Sequence, residues 1–333
     1  MRSASGPGVL IGGLLFVMVV LAIGSLGVGV ASLDVAQTVV HWWRGEATIA
    51  TLVLMELRVP RTLLAMLVGS SLGLAGAALQ GLLRNPLAEP GIIGVSSCAG
   101  FGAVIAFYSG ASVLAPLALP LAGIAGALLA VVLLYALAGR EASTLTLILA
   151  GVAINGFAAA ATALALNLSP NPFAVTEIVF WMMGSLADRS TAHLQLAAPL
   201  MLIGCALLLT SGRMLDALTL GEDTAASLGV RVGRQRLLLV LGTALAVGSG
   251  VAVTGAVGFV GLVAPHLMRP WVGHRPSQLL IVSALAGAVL VLAADIAIRL
   301  ITIGPELKLG VVTALIGAPF FLVLVMRLRR QTI

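Results

Sequence analysis

The amino-acid sequence predicts an all-α polytopic membrane protein with about ten transmembrane helices, and three observations carry that prediction. Of the 333 residues, 60% are hydrophobic and 9% are charged, whereas soluble domains average roughly 45–50% apolar and about 25% charged residues. The mean hydropathy is +1.15. A chain this hydrophobic has more apolar surface than a globular fold can bury. Several apolar runs also reach about 20 residues, the length that crosses a bilayer as a helix. A soluble enzyme and a disordered chain are therefore excluded as main interpretations.

The basic residues do not indicate a nucleic-acid partner, although the formal net charge is +6. They stand singly between long apolar stretches and never form a patch. The two cysteines, Cys98 and Cys205, lie in apolar stretches and provide no disulfide or metal framework. We therefore expect neither nucleic-acid binding nor a metal site.

Ten apolar segments are candidates for membrane crossing. They are 9–30, 62–83, 92–109, 114–138, 143–167, 193–211, 237–254, 256–268, 277–298 and 307–326. The first segment is longer than the apolar part of a signal peptide, so we expect an uncleaved span. The stretch 237–268 can be one long helix or two short ones.

The distribution of positive charge favours two helices in this stretch. If the N-terminus is cytoplasmic and 237–268 forms a hairpin, twelve of the 18 Lys and Arg residues lie on the cytoplasmic side, including Arg2 and Arg140. A single helix would move Arg269, Arg275 and the C-terminal arginines outside and remove most of this bias. We therefore predict ten helices with both termini in the cytoplasm.

The order of crossing suggests an inverted repeat within one transmembrane domain, 1–333. Helices 2–5 enter the membrane from outside and helices 7–10 enter from inside, a common arrangement in transporters. Residues 76–86 and 255–265 both run from small residues to a proline near the cytoplasmic face.

The chain has no obvious means of driving transport by itself. Ion-coupled carriers usually keep ionisable residues inside the membrane, whereas Glu56, His193, His266 and Asp295 all lie at predicted span ends. The sequence also lacks the G-x-x-x-x-G-K-[ST] phosphate loop. We therefore expect that the chain is not an enzyme that hydrolyses ATP, and that its energy comes from a partner.

The longest polar cytoplasmic segment, 213–236, is the expected docking site for this partner. Thr219 and Glu222 have the spacing of a capping box, and Gly229 is a suitable C-terminal stop. This pattern predicts a helix of roughly 15 Å that lies against a surface, with Leu220, Ala225 and Leu228 on one face. An ordinary amphipathic connector is the alternative interpretation.

Two further polar segments lie at predicted span ends on the cytoplasmic side. Asn85 and Leu87 lie between two prolines that prevent a continuous helix, and they can either constrict a pore or form a tight turn. Ser143 and Thr144 open helix 5 at a comparable depth, where an N-cap is the simpler role for Ser143.

Three arginines lie at predicted outer ends of helices, namely Arg58, Arg61 and Arg299. Arginines in such positions usually act as snorkelling anchors. An acidic external partner is the alternative, because their charge opposes the topological bias.

Six ordered motifs resemble the permease family of bacterial type II ABC importers for vitamin B12, ferric siderophores and haem. The motifs are Leu57 to Thr62, Gly76 to Gly81, Arg84 to Pro90, Leu218 to Val230, Gly258 to His266 and Gly310 to Pro319. The resemblance implies a homodimer in the bacterial inner membrane, with two cytoplasmic ABC ATPase subunits and a periplasmic substrate-binding protein. It also implies that ATP and Mg²⁺ are bound by the ATPase, so that this chain holds no cofactor.

The resemblance assigns expected roles to individual residues. The ATPase-coupling residues are Thr219, Leu220, Gly221, Glu222, Asp223, Ser227, Leu228 and Gly229. Asn85, Leu87, Ser143 and Thr144 would form cytoplasmic gates, and Arg58, Arg61 and Arg299 would meet acidic residues of the binding protein. The expected function is import of an iron–siderophore, haem or cobalamin by alternating access. The alternatives are an ion-coupled secondary transporter that acts without an ATPase and a channel or scaffold.

Overall fold

The computed structural model describes residues 7–29, 32–115, 117–139, 143–169, 171–301 and 306–331, and these residues contain helices and no strand. The helices are α1 (Pro7–Gly27), α2 (Val35–Trp43), α3 (Ile49–Leu82), α4 (Val95–Tyr108), α5 (Ala118–Ala138), α6 (Thr144–Asn167), α7 (Pro172–Met182), α8 (Thr191–Thr210), α9 (Gly212–Leu218), α10 (Glu222–Ser227), α11 (Val232–Thr254), α12 (Val260–Met268), α13 (Pro276–Leu300) and α14 (Leu309–Gln331). The prediction of an all-α membrane protein is confirmed.

Seven helical stretches in the described ranges are long and apolar enough to cross a membrane. They are α1, α3, α5, α6, α8 continuing into α9, α11 and α13, and shorter apolar helices form at α4, α7 and in α14. Each of the ten predicted segments overlaps a helix. The sequence did not predict α2 and α7, because runs of 9 and 11 residues are too short to register as spans.

The stretch 237–268 is two helices, as the charge distribution predicted, but the second is shorter than a full span. The nine residues of α12 rise roughly 14 Å, about half of a typical hydrocarbon core. The break starts at Gly255, where a Cβ would lie 2.1 Å from the Trp181 carbonyl oxygen. It ends at Phe259, which has a φ of 65°, an unusual value for a bulky residue.

The centre of the bundle is the antiparallel pair of α3 and α13. A Cβ at Gly73 would lie 2.0 Å from the Ser283 carbonyl oxygen, and one at Gly69 would lie 2.3 Å from the Gly287 carbonyl oxygen. The two backbones are therefore in direct contact, as small residues allow in membrane helices. On another face of α3, Gly76 lies equally close to Gly261 of α12.

The register of this pair defines two ends of the bundle. Arg61 of α3 bonds Asp295 of α13 at one end, which we call the arginine end. At the other, the loop end, Gln80 of α3 accepts a hydrogen bond from Arg269. The 213–236 loop belongs to the loop end, because Gly212 packs against Ser277 at the start of α13.

Some of the basic residues on which the predicted orientation depends lie outside the part of the chain that the structure describes. Arg2 and Arg140 lie outside the described residues, and the same holds for the side chains of Arg327, Arg329 and Arg330. The cytoplasmic placement of both termini stays a prediction.

Alanine at Gly73 should destabilise the protein, because a methyl group cannot fit against the Ser283 carbonyl oxygen. We expect a cost of about 1–3 kcal/mol, the usual range for overpacking, measured as a lower melting temperature in detergent. Gly156→Ala in α6 is the matched control, since nothing lies within 4 Å of its Cβ position. Equal melting temperatures for Gly73→Ala and the control would contradict the close packing.

Candidate functional site

The three predicted outer arginines converge at the arginine end, where two of them bind the end of α1. Arg58 donates from Nη1 to the carbonyl oxygens of Leu26 at 2.7 Å and Gly27 at 3.2 Å. Arg299 donates from Nη1 to the carbonyl oxygens of Ser25 and Val28, both at 2.8 Å. The last carbonyls of a helix lack partners within the helix, and cations favour that end of its dipole.

Asp295 connects two of these arginines. Its side chain is only 1% exposed. It accepts hydrogen bonds from Arg61 at 2.8 and 2.9 Å and forms an ion pair with Arg299 at 2.8 Å. Glu306 is a second acidic partner of Arg61. Bidentate pairing of this kind is what makes a buried carboxylate tolerable. We name Arg58, Arg61, Asp295 and Arg299 the arginine cluster.

The three arginines of the cluster differ in exposure, and their docking role stays a prediction. The side chains of Arg58 and Arg299 are buried, whereas Arg61 keeps some exposure and has an exposed partner, Glu306. From the sequence, Asp295 was expected only at the end of a span and was not expected to pair with these arginines. Its i, i+4 spacing to Arg299 is the signal that indicates the pairing.

At the loop end, the predicted helix in the 213–236 segment forms, but it is shorter than predicted and its capping box is wrong. α10 has six residues, or roughly 9 Å. Its N-cap is Gly221, with no side-chain cap, and the Thr219 hydroxyl donates instead to the Asp216 carbonyl oxygen at 2.6 Å. Gly229 follows the helix with a φ of 81°, as expected for a C-terminal stop.

Glu222 is the first residue of α10 rather than its third, and its carboxylate pairs with Arg236. Arg236 Nη2 donates to Glu222 Oε1 at 2.9 Å, and the Arg236 side chain is almost fully buried in α11. This ion pair attaches α10 to a long helix of the bundle. In the sequence, this ion pair is only two opposite charges separated by 14 residues, and no local pattern indicates that they meet.

The surface of α10 also differs from the predicted face. Ala225 is fully buried, whereas Leu220 and Leu228 are 65% and 63% exposed. Asp223 lies exposed beside them, and the Ser227 hydroxyl bonds the Thr224 carbonyl oxygen. The leucines therefore point away from the bundle at a polar loop, where an unpaired apolar surface indicates a partner.

The predicted gate residues adopt local turn and cap geometries. The Asn85 side-chain oxygen accepts the Leu87 N–H at 2.9 Å, which fits the tight-turn interpretation. Ser143 caps α6 by accepting the Thr146 N–H at 3.1 Å, the simpler role expected for it. Thr144 is the first residue of α6. Gate function for these four residues stays a prediction.

Glu89 is a further acidic residue in the 83–91 segment. Its carboxyl is largely enclosed, and burial raises the pKa of Glu89 above its ordinary value. Since Pro90 follows it and contacts Gly261 of α12, this segment packs against the central helices rather than lying free.

Two cavities meet at the short helix α7. The first, of about 370 Å³, is lined by small and hydroxyl side chains with Trp181 and Met182, and none of its lining residues is charged. The second, of about 690 Å³, shares Met182 and Ala256 with the first and continues along α14. Together they form a largely uncharged surface that runs from α6 to α14.

A third cavity, of about 420 Å³, lies on the other side of Trp181 and is charged. Its lining includes Glu177, Asp188, Arg189 and Lys308. Burial lowers the pKa of Arg189, and the neighbouring Asp188 opposes that effect.

Comparison with known proteins gives consistent matches over almost the whole chain. The profile of the FecCD transport family matches residues 15–327. The hemin transport system permease HmuU of Yersinia pestis is 37% identical over 335 residues, which cover 98% of this chain and 97% of HmuU. The vitamin B12 import system permease BtuC of Salmonella typhi is 41% identical and covers 86% of each chain.

Two further matches agree with these. The Fe(3+) dicitrate permease FecD of Escherichia coli K12 is 38% identical, with 92% of this chain and 95% of FecD covered. A solved structure described as an inward-facing metal-chelate type ABC transporter superposes with a TM-score of 0.84 at 34% identity. That match covers 96% of this chain and 99% of the other.

Replacing Glu222 by Ala should destabilise the protein, because the buried Arg236 guanidinium loses its carboxylate partner. Since Glu222 is half exposed, we expect a modest cost of about 1 kcal/mol, measured as a lower melting temperature in detergent. Asp223→Ala, one residue away and exposed, should leave the melting temperature unchanged. A larger effect of Asp223→Ala than of Glu222→Ala would refute the pairing.

Proposed function

The chain belongs to the FecCD transport family, and from this premise we propose that it is the permease subunit of an ABC importer for a metal chelate. It moves the chelate from the periplasm to the cytoplasm through the bacterial inner membrane. The observation that carries the proposal is the match over residues 15–327, together with relatives of which nearly the whole length is covered.

We propose ten crossings with both termini in the cytoplasm, so that the loop end is cytoplasmic and the arginine end is periplasmic. The half-length helix α12 then returns from the break at Gly255 to the cytoplasmic face. The inverted repeat is supported by packing, because α3 packs on α13 while α11, the repeat counterpart of α3, packs on α5, the counterpart of α13.

The partner at the loop end is an ABC ATPase subunit, which binds ATP and Mg²⁺ in place of this chain. The exposed side chains of Leu220, Asp223 and Leu228 support docking at α10. The ion pair of Glu222 with Arg236 holds α10 against α11, so a force on the docking surface reaches the bundle directly. Thr219 and Ser227 bond backbone carbonyl oxygens within this segment, and Gly221 and Gly229 adopt positive φ values, so these four residues shape the surface that the partner meets.

The permease works as a homodimer with one path at its two-fold axis. The uncharged surface between α6 and α14 supports this arrangement, because a second copy would close two open cavities into one passage. A wall of Ala, Gly, Ser and Met side chains binds a large hydrophilic cargo weakly. Weak binding suits alternating access driven from outside the chain.

The cargo is a metal chelate of one of the three classes carried by the relatives, namely hemin, ferric dicitrate or vitamin B12. Affinity of the periplasmic binding protein for each class, measured by calorimetry, identifies which one this importer takes. Binding of none of them would contradict this choice of cargo.

Serine at Leu228 should weaken capture of the ATPase subunit, because burying an exposed leucine side chain in an interface is favourable by roughly 1.5–3 kcal/mol. We expect about five- to tenfold less ATPase in a pull-down with the tagged permease. Leu267→Ser is the control, since Leu267 is 41% exposed but lies outside the loop. Undiminished capture by Leu228→Ser would count against docking at α10.

Glutamine at Arg61 should weaken docking of the periplasmic binding protein, because Arg61 is the cluster arginine with an exposed acidic partner. We expect a several-fold higher dissociation constant and a weaker salt dependence of binding to permease in nanodiscs. Arg44→Gln removes an exposed arginine at the same end and should change neither. If both variants bind like the wild type, the arginine cluster has only a structural role.

A further inference from the structure

Helix α13 begins at a cap that comes from another helix. The Ser277 N–H donates to Asp216 Oδ1 at 2.9 Å, and Asp216 lies in α9, just before α10. The residue at the N-cap position itself, Arg275, provides no side-chain cap. A carboxylate is the preferred partner for the free N–H groups and positive dipole at a helix start.

The same helix ends in the arginine cluster. Asp295 and Arg299 occupy its last two turns and connect it to Arg61 of α3 and to the end of α1. Along α13, Ser277 lies roughly 27 Å from Asp295 and roughly 33 Å from Arg299, so the helix spans the distance between the two contacts. It is therefore one continuous element with a polar attachment at each end.

The packing along α13 leaves little room for absorbing a displacement. Gly69 and Gly73 of α3 meet the backbone of α13 at Gly287 and Ser283, so no side chain lies between the two helices at these points. A contact made by backbone atoms cannot relax by a change of rotamer. A shift at one end of α13 therefore reaches the other end, as expected for close-packed interiors.

We propose that α13 transmits movement between the ATPase-docking segment and the arginine cluster, and that Asp216 is the positioning residue that attaches the segment to α13. The docking segment has two attachments to long helices, Glu222 to Arg236 of α11 and Asp216 to Ser277 of α13. Of these two helices, only α13 carries residues of the arginine cluster, since α11 ends at Thr254. The inference rests on the proposed function of the chain as an ABC permease.

The test uses the permease reconstituted in nanodiscs with its ATPase subunits and binding protein. ATP hydrolysis is measured with and without the binding protein, and the readout is the ratio of the two rates. Asp216→Ala and Ser277→Pro each remove the bond, one by deleting the acceptor and the other by deleting the N–H in a helix turn that tolerates proline.

Two variants keep the bond and serve as controls. Asp216→Asn retains a side-chain oxygen acceptor, and Ser277→Ala retains the backbone N–H. We expect both broken-bond variants to assemble and to keep basal hydrolysis within about twofold of the wild type. Their stimulation by the binding protein should fall at least fivefold, whereas the two controls should keep most of it.

Each outcome bears on a different statement. Normal stimulation in Asp216→Ala and Ser277→Pro would overturn the role of Asp216 while leaving the permease assignment intact. Loss of stimulation in Ser277→Ala as well would overturn it too, because that variant keeps the bond. Failure of the wild-type chain to assemble with any ATPase would overturn the proposed function and this inference together.

Discussion

Direct backbone contact between α3 and α13 is the constraint on which the rest of the structure depends. Glycines at positions 69, 73 and 287 bring the two helices together without intervening side chains. That contact sets the register in which Arg61 meets Asp295 at one end. At the other end, the close approach of Gly76 to Gly261 of α12 places Gln80 beside Arg269, which follows α12. Both polar ends of the molecule are therefore positioned by residues that carry no charge.

The few charges of the chain are concentrated where they hold helices in place. Asp295 neutralises part of the arginine cluster, and Arg236 fixes the docking helix through Glu222. Between these ends, the two uncharged cavities that meet at α7 offer no ionisable group to a passing ligand or ion. A bundle built this way resembles a conduit, in which the work is done at the two ends rather than along the path.

Much of the fold was predictable from the sequence, because composition and the positions of apolar runs depend only on local residue content. The predicted hairpin in 237–268 exists, yet the shortness of α12 follows from the close approach of Gly255 to Trp181, which is a tertiary contact. The capping box at Thr219 did not form because the helix starts after Gly221, and Glu222 instead pairs with Arg236 of α11. The convergence of Arg58, Arg61 and Arg299 was not predictable beyond their shared membrane side, because Asp295 joins Arg61 to Arg299 across helices and Arg58 binds the end of α1.

The central claim is that this chain is a passive conduit powered by a separate ATPase. The most direct test is uptake of the metal chelate into proteoliposomes, measured with and without the ATPase subunit and in the presence of a protonophore. We expect uptake that requires ATP and the ATPase and that is insensitive to the protonophore. Uptake by the permease alone that collapses when the protonophore is added would contradict it and would establish an ion-coupled transporter.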